Sequence, residues 1–227
     1  MSNVLYASVV GSLMYAIVCI RSDIGYVVGV ANRFTSNPGK EHWAVMKWIL
    51  WYLKSTSSVC LRFGSCKPPL EVLTYSNMWA DVDTSRSTLG YVITYVGGAV
   101  SWQSRLQKVM PLSTTKFEYM ATAQADKEII WMKEFISELG IRLEEFRLHY
   151  DNQSDIPLAK NATHHSRTKH IQRRYHWLRE WVEEKEFALM KIHTAENGPD
   201  MLTKVLSAEK LDACRERVRL VKYPMSK

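Results

Sequence analysis

Cysteine is scarce in this chain of 227 residues, which has only four, at positions 19, 60, 66 and 214. No two of them form a C-x-x-C pair, and this spacing argues against both a zinc finger and the disulfide framework of a small secreted protein. The sequence therefore predicts an intracellular protein with reduced thiols, located in the cytoplasm or the nucleus.

Acidic residues are also under-represented, with 23 Asp and Glu against 30 Lys and Arg, so the formal net charge at pH 7 is +7. A positive balance of this size favours an anionic partner such as nucleic acid over an acidic small substrate. The hydrophobic fraction of 46% is enough to build folded cores and excludes a disordered chain.

The chain contains only one long hydrophobic run, from Val4 to Ile20. This run is about long enough to span a bilayer, but it contains Ser8, Gly11 and Ser12, and no basic segment precedes it as in a signal peptide. We therefore predict a packing helix at this position and no membrane partner.

Helical spacing of apolar residues predicts three helices in the first part of the chain, over residues 4–20, 23–34 and 40–56. The third of them interleaves tryptophans with Lys47 and Lys54. Tryptophans at helical spacing pack in a core or, with lysines beside them, stack on nucleic-acid bases, and the pattern alone leaves both interpretations open. We assign residues 1–66 to a helical segment.

The segment from Gly64 to Pro69 is typical of a turn, and after it the sequence pattern changes to β-rich runs that alternate with helical ones. The pattern predicts a mixed α/β domain over residues 67–206, followed by a C-terminal helix and tail over residues 207–227. The predicted elements are strands at 70–75, 88–96, 99–103, 146–150 and 187–192, and helices at 115–139, 151–160, 169–184 and 199–205.

Three acids lie near the ends of predicted elements in that domain: Glu118 early in the long helix, Asp151 after a strand, and Asp200 in the last short helix. Carboxylates delivered from separate elements to one point are the ligands that Mg²⁺ prefers. Acids at helix starts are also ordinary caps, so their spacing alone leaves both roles open.

Several short motifs in the α/β region together resemble the ribonuclease H domain of copia-type retrotransposon Pol polyproteins. The segments before it are similar to the part that joins polymerase to ribonuclease H in the same polyproteins. The motifs are Val10-to-Tyr15, Arg21-to-Ile24, Asn37-to-Trp43, Gly90-to-Val92, Gly97-to-Ser104, Leu112-to-Thr115, Glu118-to-Ala121, Asp151-to-Ser154, Arg167-to-Ile171 and Asp200-to-Lys204.

The resemblance implies a ribonuclease H-like mixed sheet with flanking helices, and hydrolysis of the RNA strand of an RNA–DNA hybrid. It further implies four carboxylates that hold two Mg²⁺ ions, or Mn²⁺ in their place, and a polymerase domain upstream in a longer chain. Three of these carboxylates map onto Glu118, Asp151 and Asp200 as catalytic and metal-binding residues.

The fourth carboxylate of the family comes from the first strand, and here the chain departs from the pattern. The segment from Tyr75 to Asp83 is two residues shorter than the first-strand pattern of the family, Y-x-D-A-D-x-A-G-D. One alignment places Asn77 on the second acid of that pattern, and another places it on the first. Either way the first-strand Asp is missing, and Asp81 or Asp83 could substitute only through a strand slip. We therefore expect impaired catalysis, with a non-catalytic nucleic-acid-binding remnant as the alternative.

A basic stretch without acids extends from residue 160 to residue 179. A surface that carries only positive charges is typical either of phosphate contacts or of a solvated helix face. Under the first interpretation the nucleic-acid-binding residues are Arg167, Lys169, His170, Arg173 and Arg174.

Overall fold

The computed structural model describes residues 5–64, 70–77, 87–107, 114–141, 143, 146–150, 188–193 and 197–223. Its first part is a small helical unit made of α1 (Tyr6–Cys19), a 3-10 turn (Ser22–Ile24), α2 (Gly25–Asn32) and α3 (Lys40–Ser55). These bounds confirm the three predicted helices. Their apolar residues recur at helical spacing and form one buried cluster. Its members are Tyr6, Val10, Leu13, Ile24, Val28, Ala31, Met46 and Ile49.

The hydrophobic run at the start of the chain forms α1, which has 14 residues. Tyr6, Val10 and Leu13 face the helical cluster, whereas Tyr15 and Val18 are exposed. Among the helices that the structure describes, none is long and apolar enough to cross a membrane.

A buried ion pair fixes the corner between α1 and α2. Arg21 donates through Nε and Nη2 to both carboxylate oxygens of Asp23, at 2.9 and 2.7 Å. The Tyr52 hydroxyl donates to Asp23 Oδ2 at 2.5 Å, and Arg21 Nη2 also donates to Thr56 Oγ1 at 2.8 Å. Burial, together with the charge of Asp23, raises the pKa of Tyr52 and keeps its proton on this bond. The Arg-Ser-Asp-Ile motif therefore joins α3 to the turn before α2.

The second part of the chain is a five-stranded mixed sheet in the order β4-β3-β2-β5-β6. The strands β2, β3 and β4 are an antiparallel meander, whereas β5 runs parallel to β2 and β6 runs parallel to β5. This order and these directions confirm the predicted ribonuclease H-like sheet. The strands are β2 (Leu70–Asn77), β3 (Thr88–Tyr95), β4 (Gly98–Leu106), β5 (Phe146–Tyr150) and β6 (Ala188–Lys191).

One face of the sheet packs against the long helix α4 (Thr114–Glu138). Ala125, Ile129 and Ile136 lie one or two turns apart on α4, so they form one apolar stripe. The stripe is buried against residues of β2, β3 and β5. Gly140, with φ of 75°, follows the helix in the left-handed conformation typical of a helix C-terminus and confirms its predicted stop.

The chain returns toward its first half at its C-terminal end. A 3-10 helix (Gly198–Leu202) is followed by α5 (Ala208–Arg217) and by β7 (Leu220–Lys222). β7 pairs in antiparallel fashion with β1 (Val59–Leu61), and this two-stranded sheet was not predicted. Each strand has only three residues and its partner lies far away in the sequence, so no local pattern indicates the pairing.

Candidate active site

Asp200 is the one predicted carboxylate whose side chain the structure describes, and it is only 1% exposed. It lies in the 3-10 helix, which has a proline in its first turn, as predicted for the short helix at 199–205. Asn197, directly before that helix, donates from Nδ2 to the carbonyl oxygen of Thr74 in β2 at 3.2 Å. This bond holds the helix against the end of the central strand.

Gly90 in β3 lets the 3-10 helix approach the sheet closely. A Cβ atom at this position would lie 2.8 Å from Leu202 Cβ and 2.9 Å from Thr203 Cγ2, closer than real Cβ contacts. Ser104 in β4 donates from its hydroxyl to the Leu202 carbonyl at 2.6 Å and ties down the other end of the helix. Two motif residues of β3 and β4 therefore fix the position of Asp200.

Two lysines hold one oxygen of the Asp200 carboxylate. Lys204 Nζ lies 3.2 Å from Oδ2, and Lys210 Nζ lies 3.6 Å from the same atom. Lys204 also donates to the Tyr75 hydroxyl of β2 at 2.8 Å, and its ammonium group lies 4.3 Å from the centre of the Tyr75 ring. Burial lowers the pKa of Lys204, but the bond to Tyr75 and the charge of Asp200 outweigh it, so the net pKa is raised and the lysine stays charged.

The other oxygen of Asp200, Oδ1, is buried and has no hydrogen-bond partner among the described residues. A buried anionic oxygen normally has a partner, because leaving it unsatisfied is costly. Oxygen of this kind is what a hard divalent cation takes as a ligand, so Asp200 fits a Mg²⁺ or Mn²⁺ ion through Oδ1. Within the described part of the chain no group of three or more His, Cys, Asp or Glu residues could hold a metal.

The remaining predicted residues are placed only partly. Glu118 belongs to the first part of α4, and the structure describes its backbone. Asn77 is the last residue of β2 and pairs with Thr88 of β3. Asp151, directly after β5, lies outside the described residues, as do Asp81, Asp83, Arg167, Lys169, His170, Arg173 and Arg174.

Sequence reasoning identified Asp200 but missed the residues that hold it. Lys204 follows Asp200 by four positions, a spacing at which side chains meet, so this ion pair was readable from the sequence. Asn197 and Lys210 gave no such signal, because their contacts depend on how the 3-10 helix packs against β2 and against α5.

No family model matches the chain. It is 51% identical over 218 residues, or 96% of its length, to the retrovirus-related Pol polyprotein from transposon TNT 1-94 of Nicotiana tabacum. It is 32% identical over 226 residues, or 97% of its length, to the retrovirus-related Pol polyprotein from transposon RE2 of Arabidopsis thaliana. The chain belongs to the family of copia-type retrotransposon Pol polyproteins, and it spans 16% and 15% of the length of these two relatives.

Among solved structures, that of LC11-RNase H1 in complex with RNA/DNA hybrid is similar to 59% of this chain and 93% of its own. The TM-score is 0.44 and the sequence identity is 14%. For the present chain, the strand order and strand directions define the fold.

Proposed function

We propose that this chain is the ribonuclease H part of a retrotransposon Pol polyprotein, built to hydrolyse the RNA strand of an RNA–DNA hybrid, and that this copy is catalytically impaired. The observation that carries the proposal is the Asp200 carboxylate. It is buried beside the end of the central strand, with one oxygen held by lysines and the other free for a cation.

In this proposal Glu118, Asp151 and Asp200 hold two Mg²⁺ ions, or Mn²⁺ in their place. Bound ions of this kind activate a water molecule and stabilise the attacking and leaving oxygens of a phosphodiester. Lys204 and Lys210 hold Asp200 Oδ2 in place, and Lys204 is itself bonded to the Tyr75 hydroxyl, so Oδ1 keeps a fixed direction. The basic residues Arg167, Lys169, His170, Arg173 and Arg174 bind the phosphates of the hybrid, in contacts that do not depend on base sequence.

The impairment follows from Asn77 at the end of β2. A neutral amide removes one negative charge from the site and is a weaker ligand for a hard cation than a carboxylate. Strand β2 pairs with β3 in unbroken register from Glu71 opposite Thr94 to Asn77 opposite Thr88. A slip that brought Asp81 or Asp83 to this position would move the strand by four (81 − 77) or six (83 − 77) residues and would break all of these pairs. The register therefore argues against rescue by either acid.

The alternative function is a non-catalytic module that binds RNA–DNA hybrids. The two lysines beside Asp200 favour it, because ammonium groups at 3.2 and 3.6 Å from the carboxylate weaken its attraction for a cation. The two functions differ in hydrolysis and not in hybrid binding.

The test is incubation of the purified chain with an RNA–DNA hybrid labelled on its RNA strand, in Mg²⁺ or Mn²⁺, beside the Asp151→Asn variant. We expect no cleavage or slow cleavage, together with hybrid binding that weakens as salt rises. Arg173→Ala/Arg174→Ala should reduce the slope of log binding constant against log salt by about 1.8, since each phosphate contact on a duplex contributes about 0.9.

Two results would change this account. Fast cleavage that disappears in Asp151→Asn would mean a working site with a substitute acid and would contradict the impairment. A chain that neither cleaves nor binds the hybrid would contradict the proposed function as a whole.

A further inference from the structure

The exposed side of α3 carries an aromatic and basic surface that the proposed active site does not use. Trp48 is 67% exposed and Trp51 is 59% exposed, although the helical spacing of the tryptophans also allowed them to be core residues. Their rings contact each other edge to face, with centroids 5.6 Å apart and planes at 73°. The inward side of α3 is filled instead by Met46 and Ile49, which are at most 4% exposed.

Lysines accompany these rings along the same side of the helix. Lys40, Lys47 and Lys54 are exposed and recur every seven residues, so they form a row with a spacing of about 10.5 Å. Lys47 and Lys54 lie one turn before and one turn after Trp51. Beyond Glu41 in its first turn, α3 contains no acidic residue.

We propose that this α3 face, made of Lys47, Trp48, Trp51 and Lys54, binds single-stranded nucleic acid. Bases stack on the exposed tryptophan rings, and the lysines contact the phosphates on either side. Charge complementarity selects this occupant, because a row of lysines with a net protein charge of +7 attracts a polyanion. A second copy of this chain would bring the same lysines together and would be repelled.

The α3 face differs in its ligand from the candidate active site. Two tryptophan rings at 73° can each take one splayed base, which only an unpaired strand offers. A hybrid duplex keeps its bases stacked and paired. Binding at α3 therefore does not rest on the proposed ribonuclease H function.

The experiment measures fluorescence anisotropy of a labelled single-stranded RNA of mixed sequence, and of the same sequence as DNA, with the full chain. Trp48→Ala/Trp51→Ala should bind both strands at least about tenfold more weakly, as loss of base stacking predicts. The matched control is Trp131→Ala, which removes a 55% exposed tryptophan stacked on Phe135 of α4, and it should bind within twofold of the parent chain.

Lys47→Gln/Lys54→Gln tests the same face without removing an aromatic ring. It should reduce the slope of log binding constant against log salt by about 1.4, because each phosphate contact on a single strand contributes about 0.7. Thermal unfolding of every variant checks that the fold is kept. Hybrid binding should be unchanged in the α3 variants and weakened in Arg173→Ala/Arg174→Ala, so the two proposals can fail separately.

Equal binding of single strands by the parent chain and Trp48→Ala/Trp51→Ala would overturn the proposal. So would a parent chain that sediments as a dimer and becomes monomeric in Trp48→Ala/Trp51→Ala without any change in RNA binding. That second result would assign the face to self-association.

Discussion

At the scale of single residues, Gly90 shows how a family motif positions an acid that lies far away in the sequence. The hydrogen atom that replaces a side chain at Gly90 leaves room for Leu202 and Thr203. Leu202 is the last residue of the 3-10 helix that carries Asp200, and Thr203 follows it. The role of Gly90 is therefore close packing, and its backbone φ is not in the left-handed region.

Gly90→Ala should destabilise the chain by about 1–3 kcal/mol, the usual cost of inserting a methyl group into a packed contact. The measurement is the urea midpoint of unfolding, read together with its slope. Gly29→Ala is the matched control. A Cβ there has no neighbour within 4 Å, and alanine in a helix is favoured over glycine by up to about 1 kcal/mol. Equal destabilisation by both changes would contradict the packing role.

The Asp200 site was predictable from the sequence only in its local contacts. The acid and its partner Lys204 could be predicted because their spacing is local. The bond from Asn197 to the Thr74 carbonyl could not, since it joins residues that only the folded sheet brings together. The placement of Glu118 and Asp151 beside Asp200 stays a prediction.

At the scale of elements, Glu71 joins β2, β5 and α5. Its carboxylate lies 3.5 Å from Arg147 and 3.8 Å from His149, both in β5, and 3.6 Å from Arg217 in α5. Contact with His149 is the largest effect on the pKa of Glu71 and lowers it, and the charges of Arg217 and Arg147 lower it further. Burial acts in the opposite direction and raises the pKa. The net result is a pKa below the ordinary value of 4.5.

A carboxyl whose pKa is lower in the folded chain adds stability above its unfolded pKa and loses it as pH falls through the folded pKa. We therefore expect Glu71→Gln to be less stable than the parent chain at pH 7, and we expect this difference to shrink as pH falls below about 4.5. Urea unfolding at a series of pH values measures it.

Glu134→Gln on the exposed side of α4 is the control for this series, and it should stay within about 0.5 kcal/mol of the parent chain at pH 7. A Glu71→Gln difference that grows toward low pH would contradict the sign of the pKa shift.

Elements with strong local patterns were predictable from the sequence, and elements made by distant pairing were not. The long helix α4 has an apolar stripe and a glycine stop, and β5 is a short β-rich run that ends before Asp151. In contrast, β1 and β7 have three residues each and exist only as each other's partners. The sequence left open whether Trp48 and Trp51 are buried, because periodicity places residues on one side of a helix without saying which side packs in the core.

At the scale of the whole molecule, polar bonds join the helical unit to the sheet and to α5. Trp102 in β4 donates from Nε1 to the Ile17 carbonyl at the end of α1, at 3.0 Å. Arg215 in α5 donates to the Tyr52 hydroxyl at 2.9 Å and so reaches the Arg21–Asp23 pair. Some residues of the motifs that resemble the Pol family, such as Trp102 and Asp23, therefore take part in bonds that join the helical unit to the rest of the fold. The division at residues 66 and 206 stays a prediction.

The central claim is that the candidate site retains three family acids and lacks the one at the end of the first strand. In the alignment that places Asn77 on the first acid of the family pattern, Asn77→Asp returns that acid to the last residue of β2. This exchange restores the negative charge that the amide lacks.

The most direct test is hybrid cleavage by Asn77→Asp, compared with the parent chain and with Asn77→Asp/Asp151→Asn. We predict that Asn77→Asp cleaves the RNA strand at least about tenfold faster than the parent chain in Mg²⁺, because a restored carboxylate ligand binds the ion more tightly. The double variant should lose this gain. An Asn77→Asp variant no faster than the parent chain, or a double variant equally fast, would contradict the claim.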